Sequence, residues 1–600
     1  IEGGRVHAWE PGCTRYLHRM AAEPGGTLWI ATAMSLFQVR HGQGRYLLPE
    51  VDAQSIDIRG VAPGLRGEIW VASLGGVQVW RNDRLHRQFG VGEGLPSADA
   101  RCIAHAPDGS VWVGTTSGLA RYDGQRWSVR QGRRWLLDNH VRDVVIEVGG
   151  AIWVATAGGV SRLAPTNLTL LAKAGHFDAA LRARHVRPPG IVGSCRLRVP
   201  GDLASWEPED DDNDGGYTAL YLAMESYRYA ATRDPAALAS AREAFRTLEF
   251  LQQVTGTEGF VVCTVVPADW TTMHDPNIRL SETDWAEQRV KDPRDKLVPQ
   301  RWRLSADGRW LWKGDTSSDE ITAHMFGYYV FHELAAEDDD RARVRAQVSR
   351  IVDHLLEHGL VLVDLDGRPT RWGVWAPGRL NHDPDWAMER GVNSVEILSF
   401  LKLAQHLTGE NRYQTEYRRL IEEHHYDRNV LEAPNLNPAW RTYIDTELLA
   451  FAYPALLALE RDSKLRRTYH RSFERWHDSI RSDGNPFFEF LYAACARPRD
   501  ANFAGASAFL RDVPLDLVRW TMDNSRREDL RVMRSPILEA LQTDRLLAPG
   551  EISYTRTDQN PWQAVQGAGG RSESDGVFYL LPYWMGRHYG WIAAPSQSAI

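Results

Sequence analysis

Two rhythms of apolar and polar positions divide the chain. Up to about residue 165, apolar residues alternate with polar ones in short runs bounded by Gly, Asp and Asn. That period of two predicts antiparallel strands with one buried face. Four of the runs are versions of one another: Gly26-Thr27-Leu28-Trp29-Ile30-Ala31-Thr32, Gly67-Glu68-Ile69-Trp70-Val71-Ala72-Ser73, Gly109-Ser110-Val111-Trp112-Val113-Gly114-Thr115 and Gly150-Ala151-Ile152-Trp153-Val154-Ala155-Thr156. Their tryptophans stand 41, 42 and 41 residues apart. Each copy continues through a small or polar turn into a second apolar stretch, as in Ser117-Gly118-Leu119-Ala120-Arg121-Tyr122. A period near 40 with about four strands per copy is the size of one propeller blade. Solenoids of helical hairpins have similar periods, but they need a 3.6-residue rhythm that these segments lack. The repeated Trp is expected to pack between blades, and Gly3 to Trp9 reads as the outer strand of a preceding blade.

Beyond residue 165 the period changes. Thr169 to Arg184 reads as a helix, which Pro188-Pro189-Gly190 breaks. Tyr217, Leu220, Tyr221 and Met224 fall at i, i+3, i+4 and i+7, and Val344, Val348, Ile351, Val352 and Leu355 repeat the stripe. Further helical stretches run near 321–335, 394–408, 412–425, 445–460 and 464–480, and the links Ala231–Pro235 and Leu407–Asn411 look alike. Helical hairpins repeated over about 400 residues predict an α/α toroid or solenoid. The expected organisation is therefore multidomain, β plus α. Propeller blades cover 1–165, a linker and acidic loop 166–216, and an α/α-toroid catalytic domain 217–600.

Composition removes several function classes. The 600 residues carry 70 Lys plus Arg against 78 Asp plus Glu, a net charge of −8. This gives no basic face for nucleic acid or an anionic membrane. No apolar run approaches the roughly 20 residues of a membrane span. Five cysteines lie far apart with no C-x-x-C, so a zinc ribbon, a redox pair and a disulfide framework are not expected. Nucleophile-elbow, Walker, dinucleotide and H-E-x-x-H signatures are absent as well. The first thirty residues show no signal pattern and begin at Ile1, which fits either a removed leader or an internal fragment. A missing leader points to the periplasm or the exterior. Oligomeric state is not legible.

Candidate chemistry lies in the Trp- and Asp-rich connections at 202–216, 264–320, 364–393 and 484–490, which a toroid gathers at one end. Asp210, Asp212, Asp214 and Gly215 match the opening of a calcium loop, D-x-D-x-D-G. Its twelfth position is Tyr221 where a Glu belongs, so an EF-hand is rejected. Asp210 and Asp212 remain candidates for an irregular divalent-cation site such as calcium, beside two other readings: a solvated, capped acidic turn, or a substrate-facing Asp214. A second cluster runs from Trp310 and Trp312 through Asp315 to Asp319, Glu320 and His324. Capping alone explains Asp315, Thr316 and Asp319. It does not explain two indoles beside a carboxylate pair, which suit a pyranose ring. Arg371, Trp372, Trp375, His382 and Asp383 converge within sixteen residues, whereas Asp364 and Asp366 read as a turn. Tyr443, Asp445 and Glu447 stand at a helix start.

The repeats resemble the two-component-regulator propeller repeat over roughly residues 20–165. That resemblance implies the fold and associates it with ligand sensing, although no kinase or helix-turn-helix segment follows. The helical part resembles, in texture and loop placement, the α/α-toroid carbohydrate-active enzymes: glycoside hydrolases, polysaccharide lyases and sugar epimerases. This is likeness to an architecture, so no residue is carried over from a family. The leading expectation is a glycoside hydrolase that needs no cofactor and takes a carbohydrate substrate. Glu320 would be its general acid, with Asp319 and a Trp-rich wall raising its pKa, and Asp214 or Asp383 its base. A lyase would use Tyr443 or His382 as base, with Arg371 or Asn393 neutralising a uronate. The third expectation is a non-catalytic binding or sensor protein.

Overall fold

The computed structural model describes residues 17–594, apart from residues 24, 34, 48–56, 65–66, 276–280, 299, 435–440, 499 and 536–539. The strand expected at Gly3–Trp9 lies outside these. The chain divides into two compact units. One comprises residues 1–167, 518–554 and 562–570, and the other 168–517, 555–561 and 571–600.

In the first unit the repeat folds as blade-type antiparallel meanders. Strands β1 (Leu17–Ala22), β2 (Leu28–Thr32), β3 (Leu36–Arg40) and β4 (Gln43–Leu47) form one sheet in sequence order. β5 (Ile58–Pro63), β6 (Glu68–Ser73), β7 (Gly76–Arg81) and β8 (Arg84–Phe89) form the next. β9 (Ala100–His105), β10 (Val111–Thr115), β11 (Gly118–Tyr122) and β12 (Trp127–Arg130) form the third. The fourth has β13 (Val141–Ile146), β14 (Ile152–Thr156) and β15 (Gly159–Leu163). The repeated Trp stands on the second strand of each sheet and packs into its successor: Trp29 clusters with Ile58 and Val61, Trp70 with Ile103 and Val111, Trp112 with Val144 and Ile152. These three are buried, while Trp153 of the fourth sheet is 41% exposed. In the second, third and fourth blades the third strand opens on a glycine at positive φ: Gly76, Gly118 and Gly159. Gly76 has φ +105°, and a Cβ there would lie 2.3 Å from the Phe89 carbonyl oxygen.

Residues 518–554 belong to this β unit, not to the helical domain expected over 217–600. They are held by polar contacts to the third blade. Glu551 Oε1 accepts from Val129 N (2.7 Å), Trp135 Nε1 donates to the Gly550 carbonyl (2.8 Å), and Arg134 donates to the carbonyls of Val518 and Ile552. Charge patterning alone does not reveal such a return, because its partners lie some 400 positions away.

Among the described residues the second unit has fifteen α-helices: α1 (Leu170–Arg184), α2 (Asp214–Thr232), α3 (Pro235–Gln253), α4 (Glu282–Lys291), α5 (Ser318–Leu334), α6 (Asp338–Glu357), α7 (Pro377–Leu380), α8 (Arg390–Thr408), α9 (Asn411–Glu422), α10 (Tyr426–Asn429), α11 (Tyr443–Leu459), α12 (Ser463–Ile480), α13 (Pro486–Ala496), α14 (Phe503–Asp512) and α15 (Val577–His588). Six of them, α2, α5, α8, α11, α13 and α15, contact one another in a closed cycle. Each also packs on an outer partner: α3, α6, α9, α12, α14 and α1 respectively. The inner set is apolar nearly all round: α11 buries thirteen of its seventeen residues. Outer helices carry one apolar stripe, as in Tyr413, Tyr417, Leu420 and Ile421 of α9. The helix read over Thr169 to Arg184 is α1, and its Ala174, Phe177 and Leu181 join the helical core, so this stretch of the expected 166–216 linker is part of the helical unit.

Candidate functional site

Two strands, Thr264–Pro267 and Trp310–Lys313, pair antiparallel and lead into the first turn of α5. Residues just outside these strands, Cys263 and Asp315, border a cavity of about 370 Å³. Asp315, Asp319, Arg371 and Trp372 of the expected set line it, together with Asp212. Trp285, Gln288, Lys296 and Arg301 join them from the 264–320 connection. Sequence reasoning missed these four because that stretch reads as loop. Its signal was local: Ser281 caps α4 and Asp284 reciprocates, an S-x-x-D box.

Asp319 stands in the first turn of α5, where its Oδ1 accepts from Glu320 N at 2.9 Å. Burial, reinforced by nearby Asp212, pushes its carboxyl up to about 6. Asp212 shares the cavity but has the opposite tendency. Burial works to raise it, yet Lys313 and Arg301 hold it below the usual carboxylate range. Asp315 is pushed up to about 6 by burial, and its Oδ1 accepts from Arg371 N (3.1 Å). Among the described residues two buried donors of the cavity lining have no partner: the indole N–H of Trp285 and Nε of Arg371. Trp372 presents its ring to Arg294 and Arg371, 4.4 and 4.7 Å from the centroid.

The other expected carboxylates lie elsewhere. Glu320 is wholly buried where α5 meets α2; a Cβ on Gly215 would sit 2.3 Å from its Oε2. Burial, then Asp319, pushes its pKa well above the ordinary value, and His324 Nε2 lies 3.5 Å away. Burial also drives His324 down to about 3, and its Nδ1 meets the Tyr328 hydroxyl. Neither reaches the cavity. Asp214 is equally buried: Arg187 and Thr264 donate to its Oδ2, which ties the α2 terminus to its surroundings. Asp383 caps the turn at Pro384–Trp386 and pairs with Arg379 at 2.6 Å. It borders a neighbouring cavity of about 210 Å³ that shares Asp295, Lys296 and Arg371 with the first.

Three of the four expected indoles are not cavity walls. Trp312 and Trp375 are core residues, and Trp375 Nε1 donates to Glu396 (2.7 Å). Trp310 packs edge-on against Phe250. Tyr443 is buried with its hydroxyl on Asp483 (3.0 Å), Asn393 donates to the Val374 carbonyl, and His382 is exposed outside the cavity. The proposed calcium ligands are ion-paired. Lys313 contacts both Asp210 and Asp212, and Arg301 reaches Asp212 at 3.2 Å. Those cations compete directly with a divalent ion for the same oxygens.

A further carboxyl belongs to the same electrostatic neighbourhood. Asp445, in the first turn of α11, is pushed up to about 7 by burial and then by Glu389, with Asp319 adding to the effect. It borders a separate cavity of about 510 Å³ with Arg441 and Trp476.

No family model matches the chain, and no curated protein matches it. Solved structures match part of it. The extracellular domain of BT4673 from B. thetaiotaomicron aligns at 18% identity over 25% of this chain and 23% of that one, with a TM-score of 0.22. That of BT3049 from the same organism aligns at 17% over 35% and 34%, with 0.22. The WD40 β-propeller domain of Doa1 aligns at 12% over 24% and 49%, with 0.21. The chain thus spans only a quarter to a half of those proteins, at scores that carry no weight for its activity.

Proposed function

We propose that the helical unit is an α/α toroid bearing a glycan-hydrolysing site, with Asp319 as general acid and Asp212 as its ionised partner. One observation carries the reading: carboxyls in a single indole-bearing cavity are pushed in opposite directions, Asp319 and Asp315 up to about 6 and Asp212 below its usual range, and of the two raised ones Asp319 carries no bond to Arg371. Inverting and retaining glycosidases both need a protonated carboxyl for the leaving oxygen and an ionised one for water or the sugar. Trp372 supplies a flat ring. Among the described residues no Tyr or His lines this cavity, so the Tyr443 or His382 base expected for a lyase is not supplied here. The full chain assayed on neutral and acidic polysaccharides should release reducing ends without ultraviolet-absorbing unsaturated products. Asp319→Asn should slow that release by about 10²–10⁴. Unsaturated products, or full turnover by Asp319→Asn, would overturn the proposal.

A further inference from the structure

At the opposite ends of α5 and α8 from the carboxylate cavity, the last turns of these neighbouring helices bring His332, Glu333 and His406 together. Glu333 Oε1 lies 2.9 Å from His332 Nδ1 and 3.3 Å from His406 Nε2, and all three donor atoms fall within 4.8 Å of one another. A tetrahedral ion about 2.1 Å from each ligand spaces its ligands about 3.4 Å apart. Described Lys and Arg side chains form no ion pair with Glu333; its partners are the two imidazoles. The buried trio His185, Cys195 and Glu573 differs on that point, because Arg184 already grips both oxygens of Glu573 at 2.6 and 2.7 Å.

We propose that His332, Glu333 and His406 form a three-ligand site for a divalent transition-metal ion of the zinc class, tying α5 to α8. Two imidazoles and one carboxylate suit such an ion, whereas calcium and magnesium prefer all-oxygen shells. The carbonyl ends of both helices carry partial negative charge toward the same place. His406 and Glu333 are 37% and 41% exposed, which leaves a path for the ion and a position for water.

The test uses the full chain stripped with a chelator and titrated with Zn²⁺ alone by calorimetry, with Cu²⁺ as a paramagnetic probe. Zn²⁺ should bind and raise the melting temperature, and the Cu²⁺ spectrum should show two nitrogen ligands. His406→Ala should weaken Zn²⁺ binding at least tenfold and reduce the spectrum to one nitrogen, and Glu333→Gln should weaken binding with both nitrogens kept. Absence of binding at millimolar Zn²⁺, or affinity unchanged in both variants, would overturn the proposal.

Discussion

Glu396 offers a stability test that does not depend on any substrate. It lies wholly buried on α8, with Trp375 Nε1 donating to its Oε2 and Thr322 of α5 as its other polar neighbour. Burial pushes its pKa from 4.5 up to about 8. The sign follows from proton counting. Between those values the folded chain holds a proton that the unfolded chain releases, so stability falls as pH rises. The loss is about 1.4 kcal/mol per pH unit, or about 3 kcal/mol at pH 7 relative to pH 4.5, and it levels off above pH 8. Glu396→Gln is uncharged in both states. Its amide oxygen can keep the Trp375 bond, and its NH₂ can donate to Thr322 Oγ1, whose own hydrogen goes to the Ser318 carbonyl. The variant should match the wild type near pH 4.5 and exceed it by about 3 kcal/mol at pH 7. Urea denaturation followed by far-ultraviolet circular dichroism at pH 4.5, 6, 7 and 8 measures this. Parallel pH profiles for the two proteins would show that Glu396 ionises within the fold, and the argument from burial would fail.

Four other outcomes are expected. Asp319→Asn should lower turnover by about 10²–10⁴ with unchanged circular dichroism, and wild-type activity should decline above pH 6 as the acid loses its proton, read from a pH–rate profile. Asp214→Asn should act on stability instead, costing about 3–5 kcal/mol in denaturant titration because Arg187 loses its buried counter-charge. Gly215→Ala drives a methyl against Glu320 Oε2 at 2.3 Å and His324 Nε2 at 2.9 Å. Its cost should be about 1–3 kcal/mol despite alanine's better helix propensity, visible as a lower melting temperature. In the β unit, Glu551→Ala strips Arg527 of one of its two carboxylate partners and Val129 N of its acceptor. It should lower the unfolding temperature of the β signal while leaving the helical signal in place.

Elements were legible along the chain because their causes are local. The blades follow from alternation and from glycines at positive φ, and the helix pairs from stripes at 3.6-residue spacing. Asp319 was legible as a carboxylate at a helix start, and Trp372 as an indole beside Arg371. Partners were not legible, and partners decide function. Asp319 and Glu320 are adjacent and chemically alike, but successive helical residues point about 100° apart. Only the seating of Gly215 against α5 sends Glu320 into the helix contact and leaves Asp319 to the cavity. Trp310 and Trp312 looked like walls until pairing with Thr264–Pro267 committed that strand to the core. Asp214 looked catalytic until Arg187 and Thr264, 27 and 50 positions away, closed on it. Local periodicity thus determined the blade strands and the main helix pairs. The burial and charge that set each carboxyl's role come from residues far apart in sequence, which only tertiary packing brings together.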